Sequence, residues 1–99
     1  MPNLRKEARG RECQVRFNLI CNGNPETTVL AHIRRGNVAG AGQKPPDTCA
    51  VLACSDCHDV IDGRRKLKRG EEWLAMYMDR YILEALCRTL AIWDKEGLL

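Results

Sequence analysis

Six cysteines and two histidines are the residues of this 99-residue chain best suited to metal chemistry. Cys54 and Cys57 form a Cys-x-x-Cys pair, and Cys13 and Cys21 form a second, wider pair. Thiolates in two such pairs typically hold Zn²⁺ in a tetrahedron, and the wider pair can join the site if residues 13–21 fold back on themselves. The four cysteines therefore predict a structural zinc site. Buried free thiols, disulfides and a redox couple of Cys54 with Cys57 are the alternatives.

Whether these thiols bind metal or form disulfides depends on the compartment, which the sequence also constrains. No run of about 18 apolar residues is present, as a membrane-spanning helix would need. Residues 1–7 are not followed by the apolar segment of a standard secretory signal. We therefore expect a cytoplasmic protein with no membrane partner, where reducing conditions favour metal binding over disulfides.

A second set of ligands follows the Cys-x-x-Cys pair. His58 comes directly after Cys57, and Asp62 is four residues further on. On a helix these two side chains share one face, so they predict a site for one divalent cation. His58 alone could instead support or complete the zinc site. His32 ends the apolar run VLAHI, and we expect this strand end to meet the start of the helix that carries His58.

Two strands and two helices are the elements that must position these side chains. Turn residues and apolar periodicity divide the chain into successive segments. It begins with a polar, basic arm that could form one helical turn, followed by a segment that is either a strand or a knuckle. Two strands follow, separated by a Gly- and Pro-rich loop, and then two helices, separated by a basic connector. The boundaries are 1–12 for the arm, 13–21 for the knuckle, 27–33 and 49–53 for the strands, 34–48 for the loop, 55–62 and 71–95 for the helices, and 63–70 for the connector.

The helix over 71–95 carries the clearest periodicity. Its apolar residues recur at helical spacing and predict a face that packs against the core or forms the seam of a homodimer. Cys87 lies within this helix and is interpreted as a small core residue. Ser55 or Asp56 is expected to cap the helix over 55–62. The stripe comprises Leu74, Met78, Tyr81, Ala85 and Ile92, widened by Tyr77, Ile82, Thr89 and Trp93.

Positive charge is concentrated in the first two thirds of the chain. Residues 1–69 hold 13 Lys and Arg against 7 Asp and Glu, whereas residues 70–99 hold 3 against 6. This asymmetry favours an anion-binding face, although a solvated charged surface is the simpler alternative. Phe17 is the one aromatic residue among these 69, which favours backbone contacts with duplex or structured DNA over base stacking. The predicted phosphate contacts are Arg34, Arg35, Arg64, Arg65, Lys66 and Lys68, with Arg69 adjoining them.

The order of these features resembles a known family. A Cys pair, a strand ending in His32, a Gly-rich loop, a second strand and Cys54-x-x-Cys57-His58 resemble the HNH, or ββα-metal, endonucleases over residues 13–62. The segments LRKEARGRECQVR, CNGNPETTVLAHIR and KPPDTCAVLACSDCHDVIDGR resemble still more closely the small prophage-encoded nucleases of the YbcO type, from Leu4 to about Arg64.

The resemblance implies a fold, an activity and a source. The fold would be α+β, with a small zinc-stapled ββα-metal core at 13–63 and a long amphipathic C-terminal helix at 71–95, all within one domain of residues 1–99. The activity would be hydrolysis of DNA phosphodiester bonds, encoded by a prophage in a bacterial host. His32 would be the general base, and His58 with Asp62 would hold Mg²⁺, Mn²⁺ or Zn²⁺. The zinc ligands would be Cys13, Cys21, Cys54 and Cys57.

Two positions depart from the HNH pattern. Ala31 precedes the histidine where many members have a metal-binding Asp or His, and the usual mid-motif Asn is absent. Asp47 is the one acidic residue near the position of that Asn. These departures define the alternative function, a non-catalytic zinc-stapled module that binds DNA or acts as an adaptor.

Overall fold

Two short antiparallel strands and a long C-terminal helix organise the protein. The computed structural model describes residues 3–34 and 43–99. The predicted α+β class, with paired strands followed by a short and a long helix, is confirmed. In chain order the elements are α1 (Leu4–Ala8), a 3-10 turn (Pro25–Thr27), β1 (Val29–His32), β2 (Ala50–Ala53), α2 (Ser55–Ile61) and α3 (Trp73–Lys95).

Strand β2 separates two apolar clusters. It pairs with β1 in a register that sets Leu30 opposite Leu52 and His32 opposite Ala50. All four β2 residues are buried, because successive side chains point to opposite faces and both faces are covered. Val51 and Ala53 join the cluster that contains the cysteine pairs, whereas Ala50 and Leu52 join a second cluster.

The second cluster gives the N-terminal segment a structural role. Leu4, Ala8 and Trp93 pack with Leu30 and the β2 side chains on this face of the sheet. The Asn3 side chain caps α1 by accepting from two backbone N–H groups of the first turn. The predicted basic arm therefore contains the single helical turn that the sequence suggested, and this turn packs against the core.

Residues 13–21 form a knuckle of turns rather than a strand. Arg16 and Leu19 have positive φ values of 56° and 66°, an unusual conformation for residues other than glycine. The Phe17 carbonyl accepts from the N–H groups of both Ile20 and Cys21, which closes the turn. Apolar and polar residues alternate loosely in this segment. Val15 and Phe17 are completely buried, whereas Leu19 is exposed. The strand alternative for this segment is wrong because its ends must meet at the cysteines.

The helix starts differ slightly from the predicted ones. The Cys54 sulfur, rather than Ser55 or Asp56, caps α2 by accepting from the Cys57 N–H at 3.4 Å. Helix α3 begins at Trp73, since the preceding Glu71 and Glu72 side chains accept from the backbone N–H groups of Lys68 and Gly70 in the approach turn.

Helix α3 packs along a narrower face than its sequence stripe suggested. Leu74, Ile82, Ala85, Thr89 and Trp93 are its buried residues. The Thr89 hydroxyl accepts from the Leu52 N–H at 3.2 Å and ties the helix to β2. The interpretation of Cys87 as a core residue is wrong, because it is exposed on the outer side of the helix. Tyr77 is also exposed, so it does not pack in the core, and the alternative of a homodimer seam stays a prediction for this position.

None of the helices in the described ranges combines the length and the apolar run needed to cross a lipid bilayer.

Candidate functional site

The four cysteines of the two pairs converge at one end of the sheet. Their Sγ atoms all lie within 4.8 Å of one another, and the Cys21 and Cys54 sulfurs are 3.8 Å apart. A tetrahedral ion bound to four sulfurs at about 2.3 Å separates them by about 3.8 Å. A disulfide would require about 2.05 Å, and all the cysteines are free thiols. The donor set and spacing therefore fit a structural metal such as zinc.

Crowding perturbs the acidity of these thiols. A hydrogen bond from Cys57 lowers the pKa of Cys13 to about 4, and the same bond together with burial raises the pKa of Cys57. Desolvation is the main cause that raises the pKa of Cys21 to about 11. A divalent ion would offset the repulsion among four thiolates, which is why such sites favour metal.

His32 lies at the end of β1 with its side chain only 9% exposed. Its Nε2 atom is 2.7 Å from Oδ1 of Asp47, and the Arg5 Nε atom is 3.6 Å from the same oxygen. The hydrogen bond with His32, followed by the Arg5 charge, lowers the pKa of Asp47. An ionised carboxylate only accepts hydrogen bonds, so Nε2 of His32 is the donor in this contact, and in the tautomer that this bond selects the lone pair is on Nδ1.

His58 of α2 and Asp62, the residue at the C-terminal cap of this helix, face each other, as their spacing predicted. His58 Nε2 is 3.0 Å from Asp62 Oδ2, and the two side chains are 23% and 22% exposed. This distance is that of a direct hydrogen bond between the imidazole and the carboxylate. The two groups are of types that ligate divalent cations, and their separation is also compatible with adjacent ligands of an octahedral ion bound at about 2.1 Å. Within residues 3–34 and 43–99, only the cysteines bring three or more ligating atoms within 4.8 Å of one another. His32 is therefore not a third member of a compact ligand cluster.

One cleft brings these groups together. A cavity of about 210 Å³ is lined by His32 from β1 and by His58 and Asp62 from α2. A neighbouring cavity of about 330 Å³ also contains His32 and Asp62 and has an apolar wall. Because β2 ends beside Val29 and leads into α2, the helix starts at the end of β1 opposite to His32. The expectation that His32 meets the start of this helix is therefore wrong, and it is His58 and the C-terminal end of α2 that line the cleft with His32. The cationic residues of the first cleft are Arg5, Arg34, Lys44 and Arg64.

The predicted phosphate contacts are divided by the structure. Arg34 and Arg64 line the cleft, and Arg35 lies outside the described residues. Arg65 pairs with Glu71 at 2.9 Å and fastens the connector to the approach to α3. Lys66 and Lys68 are exposed and do not line the cleft.

Sequence reasoning missed two cationic residues of the cleft. Arg5 reaches it because Leu4 and Ala8 fix α1 on the core, and Lys44 lies close to Asp47 in the chain. The helical spacing of Leu4 and Ala8 was the available signal for α1, since i and i+4 share a face.

The sequence matches a known family over nearly its whole length. A family model described as "Putative nuclease YbcO" matches residues 2–98. The chain belongs to the YbcO family. It is 54% identical over 99 residues to "Putative nuclease YbcO" of Escherichia coli (strain K12), covering all of this chain and 98% of that protein. The identity and coverage are the same for "Putative nuclease ybcO" of Enterobacteria phage 82.

A solved structure of similar fold extends the YbcO comparison to three dimensions. It is titled "Structure of a putative bacteriophage protein from Escherichia coli str. K-12 substr. MG1655". The TM-score is 0.74 at 50% sequence identity, with 96% of this chain and all of that chain covered. The resemblance to the YbcO type is therefore confirmed for nearly the whole chain, including α3, and members of the family occur in phage as well as bacteria.

Proposed function

We propose that this protein is a metal-dependent endonuclease that hydrolyses DNA phosphodiester bonds through an HNH-like ββα-metal core at residues 13–63 of a single domain spanning 1–99. The observation that carries the proposal is the cleft in which His32, His58 and Asp62 meet beneath a cationic rim. The description of the family as a nuclease, and its phage member, point the same way. The setting would be the cytoplasm of a bacterial host.

The cationic rim would hold the DNA. Arg5, Arg34, Lys44 and Arg64 line this cavity of about 210 Å³. Guanidinium and ammonium groups bind phosphate oxygens without reading sequence, so we expect binding to duplex or structured DNA with little sequence preference. The predicted Lys66 and Lys68 would add to this field from the outside.

His32 is proposed as the general base. With Nε2 bonded to Asp47, Nδ1 is the atom that would accept a proton from the attacking water. Asp47 would act as a positioning residue, because its carboxylate fixes both the tautomer and the ring orientation. In the sequence, Asp47 lies near the position at which the HNH motif usually has an Asn.

His58 and Asp62 would hold the catalytic cation, as Mg²⁺, Mn²⁺ or Zn²⁺. When bound there, such an ion stabilises negative charge on the phosphate and on the leaving oxygen. The Asp62 carboxylate also lies 3.6 Å from Nη2 of Arg64, so the rim arginine is oriented by the same ligand. The four cysteines would hold a structural zinc apart from the chemistry.

Plasmid nicking tests the proposal directly. The zinc-loaded protein is expected to convert supercoiled plasmid to nicked circles when Mg²⁺ or Mn²⁺ is added, and to be inactive without an added divalent ion. Asp62→Ala should lose this activity because it removes a ligand, whereas Asp94→Ala, an exposed acid on α3, should retain it. Absence of nicking with every divalent ion, combined with intact DNA binding, would contradict the nuclease.

That last outcome would favour the non-catalytic DNA-binding or adaptor module. Ala31 is fully buried and offers no ligating atom before His32, which is the observation that supports this alternative.

The Asp47 role gives a second prediction. Asp47→Asn removes the negative charge but keeps the size, and its amide can accept from or donate to the imidazole, so the tautomer of His32 is no longer fixed. Nicking is expected to fall about 10- to 100-fold, the usual cost of changing the carboxylate that orients a functional histidine. Asp94→Asn changes net charge equally and is the control. Nicking by Asp47→Asn at the wild-type rate would remove Asp47 from the mechanism.

The lowered pKa of Asp47 also fixes a pH dependence. Because the folded pKa lies below the unfolded one, the carboxylate stabilises the fold above the ordinary Asp range of about 3.9, and this contribution is lost as pH falls through the folded value. The free energy of unfolding of the wild type should therefore exceed that of Asp47→Asn near neutral pH, and the two values should converge as the pH falls below the folded pKa of Asp47. A difference that grows in acid would contradict the assignment.

A further inference from the structure

A second cavity, of about 490 Å³, lies between the cysteine knuckle and α3. Its aromatic wall is formed by Trp73, Tyr77 and Tyr81 of α3, and Arg16 of the knuckle faces them. None of these residues lines the cleft that contains His32, and the proposed hydrolysis does not use them. A volume of this size is within the usual range for small-molecule sites.

The three rings are held at angles to one another. Trp73 is 6.4 Å from Tyr77 and 6.4 Å from Tyr81, centroid to centroid, with interplanar angles of 51° and 53°. Tyr81 also packs edge-on against Phe17 at 5.3 Å, and both Tyr81 and Trp73 are partly buried against the larger core cluster. Tyr77 is 46% exposed and lies outside both core clusters, so its ring is available to a ligand.

The charges around the rings are mainly positive. Arg16, Arg80 and Arg88 line the cavity together with a single carboxylate, Glu84, which lies 3.5 Å from Nε of Arg80. Arg88 donates from Nη2 to the Gln14 carbonyl, while its buried Nε has no partner. Aromatic faces bordered by an excess of guanidinium groups complement a planar base attached to a phosphate.

We propose that this cavity binds an unpaired nucleotide, so that the preferred substrate is structured DNA with a single-stranded segment beside the duplex. The base would stack on Tyr77, and Arg16 and Arg80 would contact its phosphates. This inference rests on the proposed function for the identity of the ligand as nucleic acid. It revises the expectation drawn from the aromatic-poor residues 1–69, because the stacking groups lie in α3.

A second copy of the chain is the competing occupant of this face. A two-fold contact places a patch against itself, so arginines from both copies would meet across the seam. Like charges at that distance oppose association, whereas the phosphates of DNA would be attracted. Charge complementarity therefore favours the nucleotide over the homodimer that the sequence stripe suggested.

Binding measured without cleavage tests the proposal. The zinc-loaded full chain, with no other divalent ion added, is titrated into a fluorescently labelled blunt duplex and into the same duplex carrying a short single-stranded overhang. The overhang probe is expected to bind about 5- to 100-fold more tightly, the usual contribution of one stacked base. Tyr77→Ala should abolish this preference while leaving affinity for the blunt duplex unchanged, and Tyr77→Phe should retain it.

Met76→Ala is the matched control. Met76 is 82% exposed, adjoins Tyr77 in the helix and does not line the cavity, so this variant should keep the preference. Equal affinity of the wild type for both probes, or an unaltered preference in Tyr77→Ala, would overturn the proposal. Dimeric wild type that becomes monomeric in Tyr77→Ala would overturn it in favour of the second copy.

The outcome is separable from that of the nuclease proposal. If the protein nicks plasmid but binds both probes equally, only the proposed nucleotide site is contradicted. If the protein prefers the overhang probe but never cleaves DNA, only the proposed nuclease activity is contradicted.

Discussion

Removing the metal from the four-cysteine site is expected to unfold the protein. The site joins the knuckle, the end of β2 and the start of α2, and three of its cysteines are buried members of the larger core cluster. A sheet of two strands is marginally stable on its own, so this cluster depends on the link between those segments. Structural zinc sites contribute about 10–16 kcal/mol in small domains, as much as the whole stability of a typical protein.

Circular dichroism with and without a zinc chelator measures this effect. The cooperative thermal transition is expected to disappear on chelation and to return when Zn²⁺ is added back, with one zinc bound per chain. Cys57→Ser should behave like the chelated protein. Cys87→Ser makes the same chemical change at an exposed position of α3 and should leave the transition in place.

A chelated protein that melts within a few degrees of the untreated one would contradict a structural metal. It would leave the cysteines as buried thiols, the alternative that their spacing alone allowed. Elemental analysis of the purified protein identifies the metal, because the sulfur separation of 3.8 Å fits zinc and other tetrahedral thiolate-bound ions alike.

Local sequence patterns were sufficient to predict the main elements. The β-branched run before His32, the apolar run before Cys54 and the long periodic segment after Gly70 gave both strands and both main helices within a few residues. These patterns work because each element buries one face whose period is set by its own geometry. The cysteine spacing similarly anticipated the cluster, since its members had to meet for either metal or thiol chemistry.

Local patterns did not predict which side chains are positioned by contacts between segments far apart in the sequence. Arg5 enters the cleft only because α1 docks on the second cluster, which contains Trp93 from the far end of the chain. Tyr77 falls within the helical stripe, yet the sheet is too narrow to cover that flank of α3. Both positions depend on contacts across most of the sequence, which composition and periodicity do not encode.

Replacing His32 is expected to have the largest effect on activity without unfolding the protein. General base catalysis contributes about 10²- to 10⁴-fold, so His32→Ala should slow plasmid nicking by that factor. DNA affinity should change little, because the cationic rim is intact. The remaining Asp47 carboxylate is 36% exposed and still faces Arg5, so solvent and this arginine stabilise it when the imidazole is gone.

A second substitution separates proton transfer from structure. His32→Gln offers an amide N–H to Asp47 but has no basic nitrogen, so it should fold like the wild type and be as inactive as His32→Ala. Imidazole added to the reaction should restore part of the nicking by His32→Ala, because it replaces the missing base in the space left beside Asp47. Lys6→Ala, an exposed neighbour of Arg5 that does not line the cleft, controls for the purification. Nicking by His32→Gln at the wild-type rate would place the base elsewhere, and the carboxylate at 2.7 Å from the imidazole would then be a structural contact only.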